Sequence, residues 1–148
     1  MPKSIVVTAL VGEIGARVAK EVAKNLDQVF CNLETCIQNH LSATIFQNFG
    51  QQNLKMLEQH QICLALCRGG VVFVPFDVLL HNQDLFAEEK KFYVYVPKSA
   101  LSSFDVAGQI AFADRDMFLQ TIAQKIDLGT IDEKMIAKEI IKKARTKQ

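Results

Sequence analysis

The sequence lacks a long apolar run, and it lacks a charge of one dominant sign. No stretch approaches the roughly 20 apolar residues that span a bilayer. The apolar run after residue 4 is too short for a signal peptide, and no small-residue cleavage site follows it. With 17 basic and 16 acidic residues the net charge is +1, whereas nucleic-acid-binding domains usually carry a basic excess. The composition therefore predicts a chain with neither a membrane nor a nucleic-acid partner.

Cysteine is scarce and does not follow a metal-binding pattern. The four cysteines, Cys31, Cys36, Cys63 and Cys67, lack the C-x-x-C spacing of common zinc sites, and the histidines show no ligand spacing, so no metal site is predicted. Without a signal peptide, reduced thiols and a cytoplasmic location are expected. Cys63 is predicted to be buried in a strand, and Cys67, at the end of that strand, is the thiol to test for reactivity.

The chain has enough apolar residues for one globular core. Its 148 residues are 49% hydrophobic and 22% charged, which predicts a single domain over residues 1–148. Short apolar runs, the first of them β-branched, predict strands at 5–10, 29–31, 62–66 and 92–96. Helical periodicity appears over 16–26, 35–40, 54–60, 78–88, 116–124 and 131–144.

This alternation of strands and helices predicts the fold class. Right-handed βαβ crossovers give a mostly parallel sheet, here of about five strands, with helices on both faces in a three-layer α/β/α arrangement. Such sheets bind ligands beyond the carboxyl ends of their strands. Candidate site residues are therefore sought in the turns that follow the predicted strands.

The first turn contains the most informative residues. Gly12 and Gly15 stand between a strand and a helix, where backbone N–H groups can hold an anion. A working phosphate loop reads G-x-x-x-x-G-K-[ST], but here Gly15 is followed by alanine and Arg17, and Glu13 adds a negative charge. The same residues also fit a plain strand-to-helix turn, and both interpretations stay open.

Two further groups of residues have a functional and an ordinary interpretation. Gly69 and Gly70 follow Arg68 after the strand predicted at 62–66, where glycine either lets a ligand approach the backbone or makes a tight turn. Arg115 lies between two aspartates near a helix start, where it either binds a ligand or forms a surface ion pair.

Taken in order, these segments resemble shikimate kinase, a small kinase with a phosphate loop. Residues 9–26 align without gaps on the family's phosphate loop and following helix. Residues 50–58 have the spacing of the pattern G-E-x-x-F-R-x-x-E and keep Gly50 and Glu58. Residues 32–34 fall on its D-T-D segment, either 67–69 or 68–70 on its glycine turn, and 115–123 on a late pattern of which Arg115 and Ala123 remain.

The resemblance implies a substrate pocket of the shikimate type. Glu34, Lys55 and Arg115 fall on shikimate-contacting positions, together with Gly69 and Gly70 of the glycine turn. Lys55 replaces an arginine, so a bidentate fork becomes a point charge, and Glu34 is one methylene longer than the family's aspartate. A small anionic ligand is the implied partner.

The nucleotide side departs from the family. Gly15 stands in place of the phosphate-loop lysine, Ala16 in place of the magnesium-binding hydroxyl, and Asn32 in place of an aspartate. Residues 99–113, which fall on a shortened lid, contain no lysine or arginine. Phosphoryl transfer depends almost entirely on positioning and charge stabilisation. The resemblance therefore implies a fold without efficient kinase activity, for which no cofactor is expected.

Three hypotheses follow from the sequence. The first is a non-catalytic binding or regulatory protein for a small anion or a protein partner. The second is a divergent but active shikimate kinase, or another phosphotransferase that uses ATP and magnesium, with Arg17 and Arg68 as substitute cations. The third is a structural partner of an active homologue.

Overall fold

The computed structural model describes residues 4–37, 51–96, 106–127 and 132–145. Its strands are β1 Ile5–Ala9, β2 Phe30–Asn32, β3 Val71–Phe73, β4 Lys90–Val94 and β5 Gln124–Ile126. Its helices are α1 Gly12–Leu26, α2 Gln51–Arg68, α3 Phe76–His81, α4 Val106–Ile122 and α5 Glu133–Ala144, with a 3₁₀ turn over Gln83–Phe86. Residues 33–37 are also helical. The predicted lid over 99–113 lies partly outside the described residues.

The five strands form one parallel sheet in the order β2-β3-β1-β4-β5. In the central strand, Ile5 pairs with Val71 of β3 on one side and with Lys90 of β4 on the other. Because every pairing is parallel, all carboxyl ends meet at one edge of the sheet. The predicted α/β class with about five parallel strands is confirmed.

Both faces of the sheet are covered, because strand residues alternate between two cores. Val7 and Phe92 belong to one core, which α1 and α5 cover. Val6 and Tyr93 belong to the other, which receives residues of α2, α3 and α4. The result is the predicted three-layer arrangement. Within the described ranges, no helix combines the length and apolar character that crossing a bilayer needs.

The prediction of a third strand over residues 62–66 is wrong. Residues 62–66 lie inside α2, where Ile62 and Ala65 are buried while Leu64 is exposed. A short, uniformly apolar run fits a buried strand and a helix equally well, so local sequence could not decide between them. The third strand is instead Val71–Phe73, which the prediction missed.

The helix predicted over 116–124 is misplaced at both ends. The helix α4 already begins at Val106, so Arg115 lies in its interior and not near its start. The helix α4 ends at Ile122, and the edge strand β5 follows from Gln124 to Ile126. A three-residue strand with one buried residue leaves little periodicity to detect. Pairing with β4, which places Ile126 beside Val94, is what makes this segment a strand.

Candidate functional site

The candidate site lies at the carboxyl edge of the sheet. In parallel sheets, ligands bind beyond this edge where the strand order reverses. The strands β2 and β3 lie on one side of β1, and β4 and β5 lie on the other. The order of the strands therefore reverses beside β1. The segments at this edge are residues 10–11 after β1, 33–37 after β2, 74–76 after β3, and 95–96 after β4.

The turn between β1 and α1 contains only Leu10 and Val11. The helix begins at Gly12, and the backbone N–H of Gly15 already donates to the carbonyl oxygen of Val11 at 3.1 Å. No side chain caps this helix start. Gly12 to Gly15, which align on part of the phosphate loop, therefore form the first turn of a helix.

Gly15 is required by packing. A Cβ atom at this position would lie 2.7 Å from Cε1 of Phe73 and 2.8 Å from Cβ of Ala9. Both distances are far below ordinary van der Waals contact between carbon atoms. The missing side chain lets α1 lie directly on β1 and β3.

Arg17 is held by two carboxylates. Its Nε donates to the two carboxylate oxygens of Glu133 at 3.0 and 3.1 Å, and its Nη1 donates to Glu13 at 2.8 Å. The hydrogen bonds that Arg17 donates to Glu133 raise the pKa of Arg17. Because Glu133 belongs to α5, the guanidinium links the first turns of two helices.

Arg115 lies over an aromatic ring at the carboxyl edge. Its guanidinium carbon is 5.0 Å from the ring centroid of Phe76, the first residue of α3, which follows β3. The ring of Phe118 meets Phe76 edge-on, with centroids 5.8 Å apart. The side chain of Arg115 is exposed, so this stacking orients it without burying it.

A polar network beside Arg115 attaches α4 to the sheet. The buried hydroxyl of Tyr93 donates to Oδ1 of Asp116 at 2.8 Å, and Lys125 lies 3.4 Å from the same oxygen. Gln120 donates to Oδ2 of Asp116 at 2.8 Å, and Nζ of Lys125 lies 3.9 Å from the ring centroid of Tyr95. The acidic neighbours of Arg115 are visible in the sequence, but Tyr93 is distant in sequence and gives no local signal.

Replacing Tyr93 by phenylalanine is expected to change stability in a pH-dependent way. Burial, and then the hydrogen bond to Asp116, raise the pKa of Tyr93 above its ordinary value near 10. A raised pKa means that the phenol stabilises the folded state fully below pH 10 and progressively less above it. We expect Tyr93→Phe to cost about 0.5 to 1.5 kcal/mol at pH 8, and this difference should shrink above pH 10.

Urea unfolding of both proteins between pH 8 and pH 11 measures that difference. Tyr95→Phe keeps the Tyr93 hydroxyl and is the matched control, which should retain the alkaline loss of the wild type. A constant gap between wild type and Tyr93→Phe across this range would contradict the assignment.

Topology brings Glu34 and Lys55 toward the same edge as Arg115. Glu34 follows β2 directly, and Lys55 lies near the start of α2, whose other end reaches the amino end of β3. Both side chains are exposed. Neither forms an ion pair with another residue in the described part of the chain.

The placement of Gly69 and Gly70 beyond a strand end is wrong. They follow α2 and precede β3, so they lie at the amino edge, where the carbonyl of Gly70 accepts from the N–H of Ile5 at 2.8 Å. Their φ angles of 72° and 89° end the helix and turn the chain into β3. The segment that leaves the carboxyl end of β3 is Val74-Pro75-Phe76.

The predicted burial of Cys63 in a strand is also wrong. Cys63 and Cys67 are both exposed on α2, because residues 62–66 are helical. In contrast, Cys31 is buried in β2 and Cys36 is half-buried just after it. Among the residues that the structure describes, no three Cys, His, Asp or Glu side chains are grouped so that they could hold a metal ion.

A pocket of about 330 Å³ lies away from this edge. Lys91, the second residue of β4, lines it, and its ammonium donates to the carbonyl oxygens of Phe86 and Glu89 at 2.8 and 3.1 Å. Burial lowers the pKa of Lys91. The other lining residues are Leu79, Gln83, Asp84, Ala87 and Ile122. Because backbone carbonyls already hold its one cation, this pocket is a poor anion site.

The comparisons with known proteins concern the fold. No protein-family model matches the sequence, and no curated protein matches it. Among solved structures, shikimate kinase from Aquifex aeolicus is 13% identical, with a TM-score of 0.69 and 95% of each chain covered.

Two further shikimate kinase structures are similar. The enzyme from Acinetobacter baumannii, in complex with shikimate, is 16% identical with a TM-score of 0.69, covering 99% of this chain and 97% of that one. The enzyme from Bacteroides thetaiotaomicron is 12% identical with a TM-score of 0.60, covering 97% and 96%. The chain therefore has the P-loop kinase fold of shikimate kinase over nearly its whole length.

Proposed function

We propose that this chain is a non-catalytic, shikimate-kinase-like protein that binds a small anionic ligand at the carboxyl edge of its sheet. The observation that carries the proposal is the closed turn between β1 and α1. Only two residues separate the strand from the helix, and the amide of Gly15 is already bonded to Val11.

Such a turn is unsuited to binding a nucleoside triphosphate. A phosphate loop works because an open run of backbone N–H groups surrounds the phosphates, while a lysine and a hydroxyl supply charge and a magnesium ligand. Here Gly15 and Ala16 stand where those side chains belong. The carboxylate of Glu13, which is 79% exposed, lies in the first helical turn and repels an approaching phosphate.

The alternative is an active phosphotransferase with substitute cations. Arg17 is a poor substitute because Glu13 and Glu133 neutralise it. Arg68 is also poorly placed, since it ends α2 at the amino edge of the sheet. Losing a single stabilising arginine typically costs phosphoryl transfer 10³-fold or more. We therefore expect no binding of ATP and magnesium, and no turnover.

The ligand half of the proposal is based on the cations at the carboxyl edge. Arg115 is stacked on Phe76, is exposed, and forms no ion pair within the described ranges, so its N–H fork is available to a carboxylate. Lys55 adds a second cation, and Glu34 offers acceptors for ligand hydroxyls. The shikimate held by the Acinetobacter enzyme is a hydroxylated carboxylate of this class.

A protein partner is the second candidate. The helix α2 leaves Met56 64% exposed and Leu64 40% exposed, with Cys63 and Cys67 also at the surface. An unusually apolar helix surface favours association with another protein. Co-purification from the native source would test this candidate if carboxylates fail to bind.

Thermal-shift titration tests the ligand proposal, because a ligand that binds only the folded state raises the melting temperature. We expect magnesium-ATP at millimolar concentration to leave the melting temperature unchanged and shikimate to raise it. Arg115→Ala should weaken shikimate binding at least about tenfold, since a hydrogen bond to a charged group contributes about 1.5 to 3 kcal/mol.

Lys138→Ala is the matched control, because Lys138 is an exposed cation on α5. This variant should bind shikimate like the wild type. A rise in melting temperature that depends on the concentration of magnesium-ATP would favour the phosphotransferase alternative instead. The ligand assignment is wrong if shikimate does not raise the melting temperature of the wild type. It is also wrong if Arg115→Ala and Lys138→Ala bind shikimate equally well.

A further inference from the structure

Two cysteines meet at the carboxyl end of β2. Cys31 is the middle residue of the strand, and Cys36 lies on the helical segment that follows it. Their sulfur atoms are 3.7 Å apart. Cys31 is only 8% exposed, whereas Cys36 is half-buried and closer to solvent.

We propose that Cys31 and Cys36 form a redox-active dithiol, a modification site at which a hydroperoxide produces an intramolecular disulfide. The bond would form across the segment that carries Glu34, at the edge of the sheet where the candidate ligand site lies. The proposal does not depend on the identity of that ligand.

The distance between the sulfurs makes closure a local event. A disulfide needs an S–S distance of about 2.05 Å, and only four residues separate the two cysteines. Both side chains pack in the same apolar core, so they already face one another. Closure requires a small shift of the short helical segment over residues 33–37 and leaves the sheet intact.

The other cysteine pair provides a contrast within the same chain. Cys63 and Cys67 are four residues apart on α2, and side chains at this spacing have Cβ atoms about 5 to 6 Å apart. A disulfide needs about 3.5 to 4.5 Å between these atoms. The second pair therefore cannot close unless the helix unwinds, although it is the more exposed pair.

The exposures of the two cysteines assign their roles. The thiolate of Cys36 attacks one peroxide oxygen, the O–O bond breaks, and Cys36 becomes a sulfenic acid while an alkoxide or hydroxide leaves and takes up a proton. The sulfur of Cys31 then attacks the sulfenic sulfur, the S–O bond breaks, and water leaves with the proton of Cys31. Two thiols and one hydroperoxide thus give one disulfide, one alcohol or water, and one further water.

Burial supports this order of events. It raises the pKa of Cys31 to about 11, with the neighbouring thiol of Cys36 adding to the shift. Cys31 therefore keeps its proton at neutral pH and is a poor first nucleophile, because the thiolate is the reactive form. It is well placed to resolve a sulfenic acid that has already formed on Cys36.

The test is thiol mapping of the full chain after treatment with hydrogen peroxide. Trypsin cleaves after Lys24, Lys55 and Arg68, so the two cysteine pairs fall on separate peptides, 25–55 and 56–68. We expect peptide 25–55 to lose two hydrogen atoms and to regain them with dithiothreitol. Peptide 56–68 should not form a bridge.

Two variants complete the design. The double variant Cys63→Ser/Cys67→Ser should form the same bridge as the wild type. Cys36→Ser, at the more exposed position, should leave Cys31 as a free thiol after the same treatment. The proposal is overturned if Cys31 and Cys36 stay reduced, if they oxidise separately without a bridge, or if the bridge forms between Cys63 and Cys67.

Discussion

Replacing Gly15 by lysine, which restores the missing phosphate-loop cation, is expected to destabilise the protein and not to restore ATP binding. The new Cβ would lie 2.7 Å from the ring of Phe73 and 2.8 Å from Cβ of Ala9, and both neighbours belong to the packed sheet. Overpacking of this kind costs about 1 to 3 kcal/mol. It exceeds the roughly 0.8 kcal/mol that a helix gains when it loses a glycine.

Urea unfolding measures the stability change, and thermal shift with magnesium-ATP measures binding. Asn25→Lys is the matched control, because it adds the same side chain at an exposed position of the same helix, where a change within about 0.5 kcal/mol is expected. A Gly15→Lys protein that is as stable as this control and melts at a higher temperature with ATP would show that the turn opens readily. That outcome would contradict the proposed loss of phosphate binding.

Replacing Gly70 by alanine is expected to have the largest effect on stability. Gly70 has a φ of +89°, and a Cβ atom would lie 2.4 Å from the carbonyl oxygen of Val29. That oxygen accepts the N–H of Val71 at 2.9 Å, so it cannot move without breaking a link between β2 and β3. Left-handed strain of about 1 to 2 kcal/mol adds to an overpacking cost of about 1 to 3 kcal/mol.

Val29→Ala is the natural comparison, since it changes the neighbouring side chain, which is 59% exposed, and keeps the carbonyl. Its unfolding free energy should stay within about 0.5 kcal/mol of the wild type. Equal unfolding free energies for Gly70→Ala and Val29→Ala would mean that the helix-to-strand turn described for residues 69–70 is incorrect.

The polar network around Asp116 shows how the candidate site depends on distant contacts. Asp116 binds Tyr93 of β4 and lies beside Lys125 of β5, while the adjacent Arg115 stacks on Phe76. The sheet thus positions the helix, and the helix positions the cation. Sequence could identify Arg115 as a candidate, but its partner Phe76 and the partners of Asp116 come from three other elements.

Only part of the candidate site was predictable, because its location depends on which segments are strands. The turns that follow β1 and β2 were located to within a residue. The strand β1 is an apolar, largely β-branched run, and Val29-Phe30-Cys31 is a short apolar run that overlaps β2. The glycine turn was misplaced, because residues 62–66 are apolar throughout and lie in a helix whose apolar residues are spread around it. Once that segment is helical, Gly69 and Gly70 move from the carboxyl edge to the amino edge of the sheet.

The sequence by itself determined the α/β class and the absence of a lysine and a hydroxyl after the first glycines, because both depend on local pattern and residue identity. Only the tertiary structure decided the strand order, the short strands β3 and β5, the pairing of Arg17 with Glu133, and the meeting of Cys31 with Cys36. The strand order, the two short strands and the Arg17 pairing depend on contacts between residues far apart in the chain. The cysteine contact depends on how the strand β2 turns into the next helix. Neither kind of geometry leaves a periodic signal in the sequence.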